Sequence, residues 1–151
     1  MFRTFMDDAL EEAAKALKRG EVPVGAVIVE ASGDIIARAG NETRERLDPS
    51  AHAEVLAIRK ACDFLKTDRL VNCDIYVTLE PCAMCAGLIA NARLRRIYFA
   101  ASDPKSGGVQ QGARVFDHQQ THHIPEIYPG IGEKKAEKLL KIFFATKRLK
   151  A

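Results

Sequence analysis

The chain has 151 residues, 47% of them hydrophobic and 28% charged, with a formal net charge of +3. That length and balance suit one domain with a real core, and they exclude a disordered chain or one that needs disulfide staples. No apolar run approaches the ~18 residues of a membrane span, and the opening Met1 to Asp8 turns acidic where a secretion signal needs an apolar core, so residence in the cytosol is expected.

The elements follow in chain order. Residues 4–19 carry Phe5, Ala9, Ala13, Ala16 and Leu17 at helical spacing. Acids fall early and bases late, as the helix dipole favours, and Gly20 ends the run. Val24 to Val29 reads as a buried strand. Gly33-Asp34 makes the turn and Ile35 to Ala39 returns, giving a hairpin. A polar loop spans Gly40 to Pro49. Residues 51–65 form a second helix, Ile75 to Leu79 a third strand, Cys82 to Asn91 a short helix and Arg95 to Ala100 a fourth strand. Residues 102–122 form a long loop with a helical turn near Val115. Ile124 to Tyr128 supplies a fifth strand, and Glu133 to Lys147 a last amphipathic helix after the Pro129-Gly130-Ile131-Gly132 break. Helices that separate successive strands place those strands parallel, so the fold class is α/β: a three-layer α/β/α sandwich around a mixed five-stranded sheet. With no repeat, low-complexity tract or linker, residues 1–151 read as a single domain.

There are four cysteines: Cys62, Cys73, Cys82 and Cys85. In a reducing compartment close spacing points to metal or redox chemistry rather than a disulfide framework. Cys82 and Cys85 stand three apart on a first helical turn, so both sulfurs share one face. His52, at the start of another helix, adds a nitrogen. Both helix starts lie where open α/β sheets gather their sites. Three protein ligands leave a fourth position on tetrahedral zinc for water, the pattern of a catalytic site. Glu54 follows His52 by two positions and can carry protons for that water. Cys62 and Cys73 lack close partners and read as core filler. A Cys-x-x-Cys alone is equally a redox dithiol or half a structural zinc site, and a His-x-Glu alone carries little. Together, with Pro81 before Cys82 and 26 residues between Glu54 and Pro81, they are the signature of zinc-dependent nucleobase deaminases.

Beyond the signature, the chain resembles the bacterial tRNA-specific adenosine deaminases (the TadA family), within the cytidine-deaminase-like fold. The stretches that carry the likeness are Glu21 to Ala26, Asp48 to Glu54, Thr78 to Gly87 and Asp103 to Gly107. The resemblance runs from about Phe5 to Arg148. It implies that His52, Cys82 and Cys85 hold one zinc ion and that Glu54 is the proton shuttle. It implies substrate contacts from Asn41 above all, with Val27, Pro81, Asp103 and Lys105 beside it. It implies hydrolytic conversion of the wobble adenosine of a tRNA anticodon to inosine, with zinc-activated water attacking C6 and ammonia leaving. The implied partners are an arginine tRNA and a second copy of the chain in a homodimer.

The likeness thins toward the C-terminus. His118, His122 and His123 crowd one loop, open to a second metal site or to ordinary loop roles. His118 and His123 are carried over only weakly as RNA contacts, and His122 and Ile124 stand where Asn and Arg are expected. The last helix sets Lys134, Lys135, Lys138, Lys141, Lys147, Arg148 and Lys150 against Glu133 and Glu137, either a solvated face or a phosphate-binding edge. Two other functions share the signature or part of it: deamination of a free base or nucleoside (guanine, cytosine or cytidine), and a zinc-stabilised or redox module without catalysis.

Overall fold

The structure, a computed structural model, describes residues 4–150; the opening residues of the expected leaderless start lie outside them. Thr4 begins the first helix with a reciprocal cap. Its hydroxyl accepts from Met6 N at 3.2 Å while its own N–H donates to Asp7 Oδ2 at 3.1 Å, so α1 runs Phe5–Lys18. The hairpin forms as β1 (Gly25–Val29) and β2 (Ile35–Gly40), followed by α2 (Ala53–Leu65), β3 (Asp74–Leu79), α3 (Ala83–Asn91) and β4 (Arg96–Ala101). A 3₁₀ turn at Val115–Asp117 interrupts the long loop, and β5 (Glu126–Pro129) leads to α4 (Glu133–Lys150). The fifth strand begins two residues later than the pattern suggests, because Pro125 has no N–H for the ladder and Glu126 is the first residue paired with β4. No helix among the described residues is long and apolar enough to cross a membrane.

The five strands lie in the order β2-β1-β3-β4-β5, with β1 antiparallel to both neighbours and β3, β4 and β5 mutually parallel. The crossover through α2 therefore does not pair β2 with β3, because β1, buried along its whole length, takes the position between them. Alternation along the strands separates two apolar layers. Ala26, Ile28, Ile75, Val77, Ile97 and Phe99 pack on α2 and α3. Tyr76, Tyr98 and Ala100 face α1 and α4. Gly25 lets α1 lie directly on the sheet, since a Cβ there would fall on the Ala9 carbonyl and the Ala13 amide.

That alternation corrects one expectation. Val27 is on the Gly25 side of β1, turned toward α1, with register partners Arg38 and Tyr76 and no exposed surface. It is a core residue on the sheet face opposite α2 and α3, and it offers nothing to a substrate at His52. Phe64, on the last turn of α2, is 64% exposed, where the helix ends and Lys66 turns left-handed as its cap. Of the remaining cysteines Cys73 is buried and Cys62 half-buried against the core.

Candidate active site

Two helix starts build the site. His52 is the N-cap of α2 and Cys82 the N-cap of α3, both with extended backbone and neither using its side chain as a cap. The side chains are thus left for each other. His52 Nδ1 stands 3.7 Å from Cys82 Sγ and 3.5 Å from Cys85 Sγ. The three ligand atoms all lie within 4.8 Å of one another. A tetrahedral zinc ion with bonds of about 2.3 Å to sulfur and about 2.0–2.1 Å to nitrogen needs sulfur–nitrogen edges of about 3.6 Å. The observed edges fit it, and one position of the tetrahedron remains free of protein ligands.

The electrostatics agree with a cation here. A hydrogen bond from Cys85 brings the Cys82 thiol down to about 4, helped by His52, while the same bond and burial push Cys85 up. Both sulfurs would bind a cation as thiolates. The bond to Cys82 also raises the His52 imidazole against the effect of burial. Glu54, the second residue of α2, is only 4% exposed, and burial pushes its carboxyl above the ordinary range.

Asn41 does the capping that His52 does not. Its Oδ1 accepts from Ala53 N at 2.8 Å, and its own carbonyl accepts from Arg19 Nη2 at 3.0 Å. With the oxygen committed, the amide is oriented so that Nδ2 is the group left to donate to a ligand. Pro81 is buried and its carbonyl accepts from Gly108 N at 2.8 Å. Asp103 folds back on its own turn, Oδ1 accepting from Lys105 N at 3.1 Å and Ser106 N at 3.0 Å, which leaves the exposed Lys105 side chain as the outward group of that turn. The loop histidines do not meet. His118 bonds the Ala113 carbonyl and His123 the Leu94 carbonyl, His122 is exposed, and among the described residues no second cluster of metal-capable side chains forms.

Two glutamates without an assigned role in the sequence hold the walls. Glu80, 2% exposed, accepts from Ser102 Oγ and from the backbone of Asp103, Val109, Gln110 and Gln111 at 2.8–3.2 Å. Burial pushes its carboxyl up, but these bonds prevail and hold it below the usual range. The loop it gathers lies tight on the ligand turn, where a Cβ on Gly108 would stand 2.5 Å from Ala83 N. Glu21, 1% exposed, likewise accepts from Thr43 Oγ1, Arg44 N and Glu45 N at 2.9–3.4 Å. The available signal at Glu80 was an acid at the end of an apolar strand: a carboxylate cannot stay buried there unpaired.

An α/β/α sandwich with a three-ligand zinc site at paired helix starts, and a buried glutamate beside it, defines a zinc-dependent deaminase. The family of the cytidine and deoxycytidylate deaminase zinc-binding region matches residues 2–101. The tRNA-specific adenosine deaminase of Agrobacterium fabrum is 51% identical over 145 residues, 96% of this chain and 95% of that protein. A solved structure from work on A-to-I editing by tRNA:A34 deaminases superimposes with a TM-score of 0.88 at 51% identity, covering 90% of this chain and 98% of the other. A Bacillus subtilis guanine deaminase structure is also similar, at 43% identity and a TM-score of 0.64 over 68% of this chain and 66% of that one. The chain belongs to the tRNA-specific adenosine deaminase family of the cytidine-deaminase-like fold.

Proposed function

We propose that this chain is a zinc-dependent hydrolase that converts the wobble adenosine of a tRNA anticodon to inosine, working as one deaminase domain. The observation that carries the reading is the tetrahedral spacing of His52, Cys82 and Cys85 with Glu54 buried beside them, in a chain that matches a tRNA-specific adenosine deaminase over 96% of its length. The chemistry supplied by zinc when bound is acidification of a water toward a pKa of about 7. Asn41 Nδ2 donates to an acceptor nitrogen of the purine ring and sets the base with C6 toward the ligands. Glu54 accepts one proton from the attacking water and delivers it to ring nitrogen N1, then accepts the remaining O–H proton as the new C6–O bond becomes a carbonyl and delivers it to the departing amine. The C6–N bond breaks, C6 gains a carbonyl oxygen, and ammonia leaves. Burial of Glu54 keeps its carboxyl within reach of the protonated state this cycle needs.

RNA recognition is assigned to the catalytic domain itself. Lys105 on the Glu80-gathered loop and the basic face of α4 are the phosphate contacts. The tRNA is an arginine tRNA, the working form is a homodimer, and the compartment is the cytosol. An arginine-tRNA anticodon stem-loop incubated with the zinc-loaded protein tests the reading, with free guanine and cytosine alongside. Inosine at the wobble position supports it; deamination of a free base with the stem-loop untouched assigns the chain to the small-molecule alternative.

A further inference from the structure

The loop between β2 and α2 ends in a residue that its backbone does not favour. Residues 43–48 make a single helical turn closed by paired bonds, Leu47 N to the Arg44 carbonyl at 3.3 Å and Asp48 N to the Thr43 carbonyl at 3.0 Å. This is the terminal motif whose penultimate position is left-handed and normally occupied by glycine or asparagine, with proline soon after. Pro49 obeys the rule. Leu47, at φ 51°, does not, and it is the one apolar side chain among the described residues held at positive φ. It also buries almost nothing: at 90% exposure it is the most exposed large hydrophobic described.

The strain is locked from below. Glu21 grips Arg44 N and Glu45 N, and Glu42 N closes the loop base on the Ala51 carbonyl at 3.0 Å. That base is flanked by Asn41 and His52, so the loop is a spur on the rim of the site. Leu47 stands five positions before His52, a reach of at most about 17 Å. The spur's charged side chains turn inward or along the surface. Arg46 pairs with Glu42 at 3.0 Å, Glu45 with Arg19 at 3.6 Å, Asp48 bonds Ser50, and the Arg44 guanidinium lies over the Phe143 ring. Leu47 is the group left facing outward. A leucine retained at a glycine position with no contact inside the fold has no stabilising role to explain it.

We propose that Leu47 is a specificity-determining residue that packs on the face of the unpaired nucleobase next to the target adenosine. This rests on the RNA reading above. A polynucleotide with its target base at Asn41 must run on past the rim, and unpaired loop bases present flat apolar faces that side chains cover. A free base never reaches the spur, so Leu47 distinguishes an RNA substrate from a small one.

The test uses the zinc-loaded full chain with Leu47→Asn, Leu47→Gly and Leu47→Met, assayed on the anticodon stem-loop with thermal melts and sedimentation equilibrium in parallel. Asn and Gly relieve the backbone and remove the apolar contact. Their Tm should hold or rise while KM climbs about fivefold to twentyfold, with kcat and zinc content unchanged; Met should keep KM within about twofold. A purely structural leucine predicts the opposite pairing, a lower Tm with KM unaltered. Unchanged KM in Leu47→Asn against an active wild type overturns the inference. So does dissociation of a dimer by the same substitution, which makes Leu47 a contact between copies of the chain. An inactive wild type on the stem-loop instead removes the RNA reading itself, so the two failures are distinguishable.

Discussion

Glu54 and Glu80 are both buried glutamates beside the same metal ligands, and they are pushed in opposite directions. Glu54 is the second residue of a helix, beside the His52 and Cys85 side chains, and burial raises its carboxyl. Glu80 ends a strand and collects one hydroxyl and four backbone N–H groups, enough to overcome the same burial and keep it ionised. Burial alone therefore does not make a carboxyl a proton carrier. The number of donors it meets decides whether it moves protons or holds structure.

Substitutions can break or sharpen that contrast. The largest expected effect is on turnover: Glu54→Gln should lower kcat by about a thousandfold or more, with zinc content intact and stability within about 1 kcal/mol of wild type. Metal analysis beside a stem-loop assay reads both, and loss of zinc would mean that Glu54 serves the ligand set rather than the proton. The same change at Glu80 should act on the fold. Glu80→Ala strands several buried donors and should cost about 3–5 kcal/mol in urea unfolding, and Glu80→Gln about 1–2 kcal/mol. Equal stability losses at Glu54 and Glu80 would erase the distinction.

Asn41 lies between the two cases, since its amide caps a helix and, in the function proposed above, its Nδ2 donates to the substrate. Asn41→Asp keeps the acceptor for Ala53 N and loses the Nδ2 donor, so Tm should hold while KM rises about tenfold or more. Asn41→Ala should add a loss of about 1 kcal/mol for the missing cap. If Asp binds substrate like wild type, Asn41 is a cap alone. The smallest effect is expected on the loop that Glu80 holds. Lys105→Ala should weaken stem-loop binding a few-fold at low salt and lower the salt slope by about one phosphate contact, leaving zinc and stability untouched.

The sequence itself determined the elements and the ligand set. Cys82 and Cys85 are one helical turn apart, a spacing legible because local geometry alone places those two side chains, and His52 is recognised at the start of the preceding apolar helix. Tertiary structure decided what spacing cannot reach. It set β1 between β2 and β3 and turned Val27 into the core. It brought Asn41 to cap a helix 12 residues later and Glu80 to gather amides up to 31 residues away. It also left Leu47 strained and facing outward. Each of these depends on which distant backbone groups lack a partner when the layers close, and that is a property of the packed chain rather than of any window along it.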